Sequence, residues 1–78
     1  MAYDRSLDER LFSKSWESAL QRLTISVYSY NKGPKKMQIT REIKDSQGNF
    51  KFARLGRMNK EELESLLPFI QEALDYMD

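Results

Sequence analysis

The chain has 78 residues, which suffices for one small domain, and 40% of them are hydrophobic. Cys and His are both absent, so disulfides are excluded, a zinc site is nearly excluded, and the commonest catalytic acid–base and nucleophilic groups are missing. We therefore expect no enzyme activity, no metal and no cofactor, and we expect a homodimer to support the small core. No apolar run could span a bilayer and no signal peptide is visible, which predicts a cytoplasmic protein (of a bacterial or virus-infected cell) or a nuclear one.

The first part of the chain predicts a loose segment followed by a weak strand. Residues 1–12 are mostly polar, and we expect a flexible N-terminal segment there. The next residues have partly helical spacing, but Phe12, Lys14 and Trp16 also share one face of a strand. Of these alternatives we favour a strand over Ser13–Ala19.

Alternating apolar and polar residues predict three further strands. They cover Arg22–Tyr30, Lys36–Lys44 and Phe50–Met58, with a glycine–proline turn after the first and a hairpin loop over 45–49 after the second. The first two strands each have one apolar face and one face of Ser, Thr, Tyr, Gln, Glu and Lys. Arg41 breaks the pattern because it falls on the apolar face, so we expect it at an edge, a bulge or a dimer seam.

A C-terminal helix is predicted over 59–77. Asn59 can cap its first turn, with Glu62 at the capping-box position, and Pro68 is expected to kink its middle. Its apolar stripe is expected to cover the sheet and to form part of the dimer interface: Leu63, Leu66, Leu67, Ile70, Leu74 and Met77. The predicted fold is α+β, a curved antiparallel four-stranded sheet followed by one helix (ββββα).

Charge is sorted along the predicted domain, which covers 13–78 with its sheet over 13–58. Residues 32–60 carry nine cations and two acids, a local net charge of +7, whereas residues 61–78 carry six acids and no cation. A basic sheet backed by an acidic helix is typical of a nucleic-acid-binding protein. The acidic helix would be repelled by a major groove, which argues against duplex reading.

The polar face of the predicted sheet interleaves aromatic rings with cations. Rings stack on unpaired bases and cations follow phosphates, so the pattern favours binding of single strands without base-specific readout. The alternative is that the Tyr residues are ordinary strand formers and the Lys residues serve solubility. The residues predicted to bind are Tyr28, Tyr30, Lys32, Lys35, Lys36, Lys44, Lys51 and Arg57. We expect Trp16, Phe50 and Phe52 in the core.

Two local patterns occur together in this chain. One is the hairpin Asp45-x-x-Gly48-x-x-Lys51-x-x-Arg54-x-Gly56 followed by Asn59-x-Glu61; the other is the strand Ile25-Ser26-Val27, which ends at Tyr30 before a basic glycine turn. Over residues 22–77 the chain thereby resembles the DNA-binding domain of the transcriptional positive cofactor four (p15 coactivator) family. The family's long serine- and lysine-rich tail has no counterpart, so we expect a compact bacterial or viral relative.

The resemblance implies a ββββα homodimer whose concave channels bind single-stranded DNA with little sequence preference. By position, Tyr30 matches the family's stacking Phe; Lys32, Lys35, Lys36, Lys51 and Arg54 match its basic residues. Ile43 stands where the family has a stacking Trp, and Leu55 stands where it has a Lys. The expected role is in transcription, replication or recombination, with melted duplex, RNA and replication or transcription proteins as further candidate partners.

Two alternatives stay open. Pur-alpha-type regulators of RNA or DNA and Whirly-type binders share a related architecture. From a different class, the basic sheet could belong to a protein-interaction module that docks an acidic partner. Salt-dependent binding to oligo-dT would favour the nucleic-acid binders, and tight binding to a protein alone would favour the module.

Overall fold

The computed structural model describes residues 4–77 and shows a sheet of four antiparallel strands followed by one α-helix. The elements are a short 3₁₀ turn (Arg5–Leu7), β1 (Asp8–Glu17), β2 (Gln21–Tyr30), β3 (Lys35–Lys44), β4 (Phe50–Ala53) and α1 (Lys60–Leu74). The sheet order β1-β2-β3-β4 follows the chain, because each strand returns antiparallel to the one before it. The expected ββββα fold is confirmed.

The first turn of α1 has the predicted capping box. The Asn59 side chain accepts a hydrogen bond from the Glu62 amide at 2.8 Å, and Glu62 Oε1 accepts one from the Asn59 amide at 2.9 Å. Pro68 lies inside the helix, which ends at Leu74, three residues before the predicted end. Within residues 4–77, no helix is long and apolar enough to cross a membrane.

The first strand begins earlier than predicted. β1 starts at Asp8, so the prediction of a flexible segment over 1–12 is wrong for residues 8–12, whereas residues 1–3 lie outside the described part of the chain. A β-bulge between Arg10 and Phe12 interrupts the alternation of faces. A strand with such an interruption does not show the period-2 pattern from which the prediction was made.

The last strand is shorter than predicted, since β4 ends at Ala53 and not at Met58. Beyond Ala53, the carbonyls of Leu55 and Arg57 accept hydrogen bonds from the Arg41 guanidinium, at 3.1 and 3.4 Å. A side chain therefore takes the place of a neighbouring strand for this segment, which connects the sheet to α1.

The core lies between α1 and the first two strands. Leu23, Ile25 and Val27 of β2 and Leu66 and Ala73 of α1 are fully buried. Ten partly buried side chains pack around them: Leu11, Phe12, Trp16, Met37, Ile39, Leu55, Met58, Phe69, Ile70 and Met77. Full burial of a Leu, Ile or Val side chain contributes about 1.5–3 kcal/mol, so this small cluster is the main source of stability.

A buried ion pair joins the centre of the sheet to the first turn of α1. Arg41 Nη1 lies 2.7 Å from Glu62 Oε2 and also donates to Gln21 Oε1 at 2.6 Å. Gln21 in turn donates to Glu62 Oε2 at 2.8 Å. Arg41 lies in an interior strand, regularly paired opposite Leu23 and Ala53, so the expectation of an edge or a bulge is wrong, whereas its place at a dimer seam stays a prediction. The guanidinium of Arg41 can be buried on the apolar face because Glu62 compensates its charge and the carbonyls of Leu55 and Arg57 accept its hydrogen bonds.

Candidate nucleic-acid interface

The face of the sheet opposite α1, here called the open face, is polar and contains a groove. The groove is lined by residues of all four strands: Arg10, Ser13, Ser15, Thr24, Ser26, Tyr28, Gln38, Thr40, Glu42 and Phe52. Strand pairing arranges the open face in rows that run across the sheet. Each row consists of residues that are directly opposite one another on neighbouring strands.

The row at one end of the groove joins a ring to two cations. Arg10 is opposite Tyr28, and Tyr28 is opposite Lys36. Neighbouring strands lie about 4.8 Å apart, so Arg10 and Lys36 are the cross-strand neighbours of Tyr28, within reach of its ring. The next ring along β2 is Tyr30, whose hydroxyl accepts a hydrogen bond from the Asp4 amide at 2.8 Å. A second depression, which Tyr28, Tyr30 and Lys36 help to line, continues the groove past this end.

The bulge in β1 places Arg10 on this face. Before it, Asp8 and Arg10 are opposite Tyr30 and Tyr28; after it, Ser13 is opposite Ser26. Without the extra residue, Arg10 would share the face of Phe12 and would point toward α1. The sequence prediction missed Arg10 for this reason, because a bulge is not visible in the alternation of residue types.

The middle of the groove is a floor of small polar side chains. One row contains Ser13, Ser26 and Gln38, and the next contains Ser15, Thr24 and Thr40. Ser15 and Thr24 share a hydrogen bond of 2.8 Å, and Ser26 donates to Ser13 at 3.2 Å. These four hydroxyls therefore form two hydrogen-bonded pairs and need no ligand for that.

The far end of the groove carries two Phe rings that were expected in the core. Phe52 is opposite Glu42 on the open face and is 78% exposed. Phe50 is half-buried because two cations cover it: Arg22 Cζ lies 4.5 Å and Lys44 Nζ 5.2 Å from its ring centre. The core prediction is wrong for both rings, whereas Trp16 does pack against the core.

Arg22 does not add a free charge to this end. It forms a bidentate ion pair with Glu42, with Nε–Oε1 2.8 Å and Nη2–Oε2 3.0 Å. The hydrogen bonds from Arg22 hold the pKa of the Glu42 carboxyl below its ordinary value, so the pair stays ionised and neutral overall. Among residues 4–77, the other cations in the rows of the open face are Arg10, Lys36 and Lys44, and the acids Asp8 and Glu17 share this face with them.

The structure brings some of the predicted binding residues together and separates others. Tyr28, Tyr30, Lys36 and Lys44 share the open face. Lys51 does not: it is opposite Ile43, on the side of the sheet that carries α1, and its Nζ lies 3.6 Å from Asp45. Its predicted place beside Tyr28 is wrong because the β3–β4 register turns the Phe residues of β4 toward the open face.

The remaining predicted cations lie at the borders of the sheet. Lys32 adopts a left-handed conformation in the β2–β3 turn, with φ 58°. Lys35 is opposite Ser29, so its side of β3 is the α1 side, and both lysines line a depression at that border. Arg54 and Arg57 are exposed in the irregular connection between β4 and α1. None of these four lies in the rows of the open face.

The predicted apolar stripe of α1 divides into two sets. Leu66 is 0% exposed and belongs to the subunit core, so it has no surface to offer a partner and its assignment to a dimer interface is wrong. Leu63, Leu67 and Leu74 are 50%, 52% and 54% exposed and form an outward apolar stripe. Ile70 and Met77 are partly buried between the two sets.

Comparison of the chain with protein-family models, with curated proteins and with solved structures gives no significant match.

Proposed function

We propose that this protein is a homodimeric single-stranded DNA-binding protein of low sequence specificity that acts inside the cell, in transcription, replication or recombination. The observation that carries the proposal is the row of Arg10, Tyr28 and Lys36, in which a ring has a cation on each side. A base can stack on the ring while the cations contact the phosphates before and after it. The resemblance to the positive cofactor four family supports the same function.

Low specificity follows from the composition of the groove. Stacking accepts any base, because every base has a π-face, and four hydroxyls of the floor (Ser13, Ser15, Thr24 and Ser26) are already hydrogen-bonded in pairs. A duplex offers no free base faces to Tyr28. Single strands should therefore bind more tightly than duplex of the same sequence.

The dimer is proposed from the outward stripe of α1. Leu63, Leu67 and Leu74 leave about half of each side chain in water on one helix face, and only five apolar side chains among residues 4–77 are fully buried. A second copy would cover the stripe and enlarge the core of this small chain. Leu67→Glu should dissociate the dimer without unfolding the subunit, since Leu67 is half-exposed. Sedimentation that shows a folded wild-type monomer at micromolar concentration would overturn the dimer.

Fluorescence anisotropy with labelled oligo-dT, duplex and RNA of equal length tests the binding function. We expect oligo-dT to bind in a salt-dependent manner and more tightly than duplex. Tyr28→Ala should weaken binding by about 1–3 kcal/mol with little change in salt slope, because stacking releases no counterion. Tyr76→Ala is the control: this ring is more exposed than that of Tyr28, but its centre lies 4.9 Å from the ring centre of Phe12, away from the groove. Equal affinity for duplex and oligo-dT at ~150 mM salt would contradict the proposal.

A further inference from the structure

Phe52 is the most exposed of the large apolar side chains in residues 4–77, and it lies on a polar surface. Its neighbours across the sheet are the ion pair of Glu42 and Arg22, and it lines the same groove as Tyr28. Nothing in the fold requires a ring here, because the core lies on the other side of the sheet. An uncovered aromatic face at the end of a groove is a surface on which a base can stack.

We propose that Phe52 is a second base-stacking site, so that the open face holds a single DNA strand at two rings, Tyr28 and Phe52. The inference rests on the proposed function and adds a second binding residue to it. A strand must exceed a minimum length to contact both rings at once. It does not depend on the dimer.

The surroundings of Phe52 resemble those of Tyr28. Lys44 is one row away and is held in place over Phe50, with its Nζ 5.2 Å from that ring centre. Phe50 is covered by cations and cannot offer a free face, so its contribution is to position Lys44. Each end of the groove then has one open ring and at least one cation for a phosphate.

The distance between the two rings follows from the register. Tyr28 is opposite Lys36 and Phe52 is opposite Glu42, so the rings are separated by six residues along β3, or about 20 Å. A strand stacked as in a duplex rises about 3.4 Å per nucleotide, so the two sites are about six nucleotides apart at that rise and fewer when the strand is extended. A trinucleotide is too short to reach both rings.

Anisotropy titrations with dT3 and dT12 on the full chain test the proposal. Phe52→Leu, which keeps an apolar side chain but removes the ring, should weaken dT12 binding about 5- to 150-fold but dT3 binding by only about twofold, because dT3 can still stack on Tyr28. Tyr28→Ala should weaken both. Phe52→Trp should retain dT12 affinity, and the emission of the new Trp should be quenched by dT12, whereas Trp16 packs against the core and serves as the background.

Wild-type affinity of Phe52→Leu for dT12, or a new Trp that dT12 does not quench, would overturn the second site while leaving single-strand binding intact. Failure of the wild-type protein to bind dT12 would instead contradict the proposed function itself. Sedimentation and thermal unfolding of Phe52→Leu should match the wild type, because the ring contributes little to the fold; a change in mass would assign Phe52 to a subunit contact and overturn the proposal.

Discussion

The two faces of the sheet use the same strands for different purposes. On the α1 side, β2 presents Leu23, Ile25 and Val27, all fully buried. On the open face, the alternate residues of the same strand include Thr24 and Tyr28, which line the groove. Since successive side chains of a strand point to opposite faces, stability and ligand contact are assigned to alternate residues of one segment.

Each face also contains one Arg–Glu pair, and the pairs differ in burial. The side chains of Arg41 and Glu62 are 11% and 5% exposed, and those of Arg22 and Glu42 are 32% and 14% exposed. The pair under α1 connects the sheet to the helix, whereas the pair on the open face lies within the sheet. The difference indicates that the pair under α1 has the larger structural role, because it is the more deeply buried of the two.

The largest effect is expected from breaking the buried pair. Arg41→Met should destabilise the protein by about 3–5 kcal/mol, because Glu62 would keep a buried charge without a cation to compensate it. The variant also removes the donor that holds the Leu55 carbonyl. Urea unfolding followed by circular dichroism measures the change.

Arg22→Met is the matched control on the open face. Its pair with Glu42 is more exposed, so the loss of stability should be about 1 kcal/mol or less. If the two variants unfold at the same urea concentration, the assignment of the larger structural role to the buried pair is wrong.

A core substitution should have the next largest effect. Leu66→Ala should cost about 2–5 kcal/mol, because it opens a cavity between α1 and β2. Phe52→Ala removes a larger side chain from the open face but should change the free energy of unfolding by less than about 0.5 kcal/mol, as for other exposed positions. A Phe52→Ala variant as unstable as Leu66→Ala would show that the open face also carries packing.

The order of elements could be predicted from the sequence because β2, β3 and α1 have regular periods. β2 alternates between apolar and polar residues, β3 does so except at Arg41, and the Asn59 capping box marks the helix start to the residue. β1 could not be delimited, since its bulge shifts the faces between Arg10 and Phe12. A local sequence pattern predicts a strand from its own residues, whereas a bulge arises from how two strands pair, so the pattern of β1 alone could not reveal it.

The candidate site was only partly predictable for the same reason. Tyr28 and Lys36 follow from alternation within their own strands. Arg10 depends on the bulge, and Phe52 on the register between β3 and β4. Residue types did not fix that register, because both alternating sets of the predicted strand Phe50–Met58 contain apolar and basic side chains. The rule that Phe belongs to the core failed at a place where the ring is proposed to contact a ligand.

A smaller effect on stability is expected from the titration of Glu62, the acid of the buried pair. The Asn59 amide, followed by the Arg41 and Gln21 side chains, holds the pKa of Glu62 below its ordinary value near 4.5. A carboxyl with a lowered folded-state pKa stabilises the protein above its unfolded-state pKa, and this stability is lost as the pH falls below about 4.5. Glu62→Gln should therefore be less stable at pH 7 and lose less between pH 5 and pH 3 in urea unfolding. An unchanged slope would show that other carboxyls carry the acid sensitivity.

The smallest effect, and the finest comparison of the faces, concerns two lysines of equal charge. Lys36 is beside Tyr28 on the open face, whereas Lys51 is on the α1 side near Asp45. If the open face binds the phosphates, Lys36→Gln should lower the slope of log affinity against log salt by about 0.7, the value for one contact on a single strand. Lys51→Gln should leave that slope unchanged, since only the net charge of the protein differs. Anisotropy titrations with oligo-dT at several salt concentrations measure both slopes. Equal losses in the two variants would mean that the whole basic region attracts polyanions and that the groove has no special part in binding.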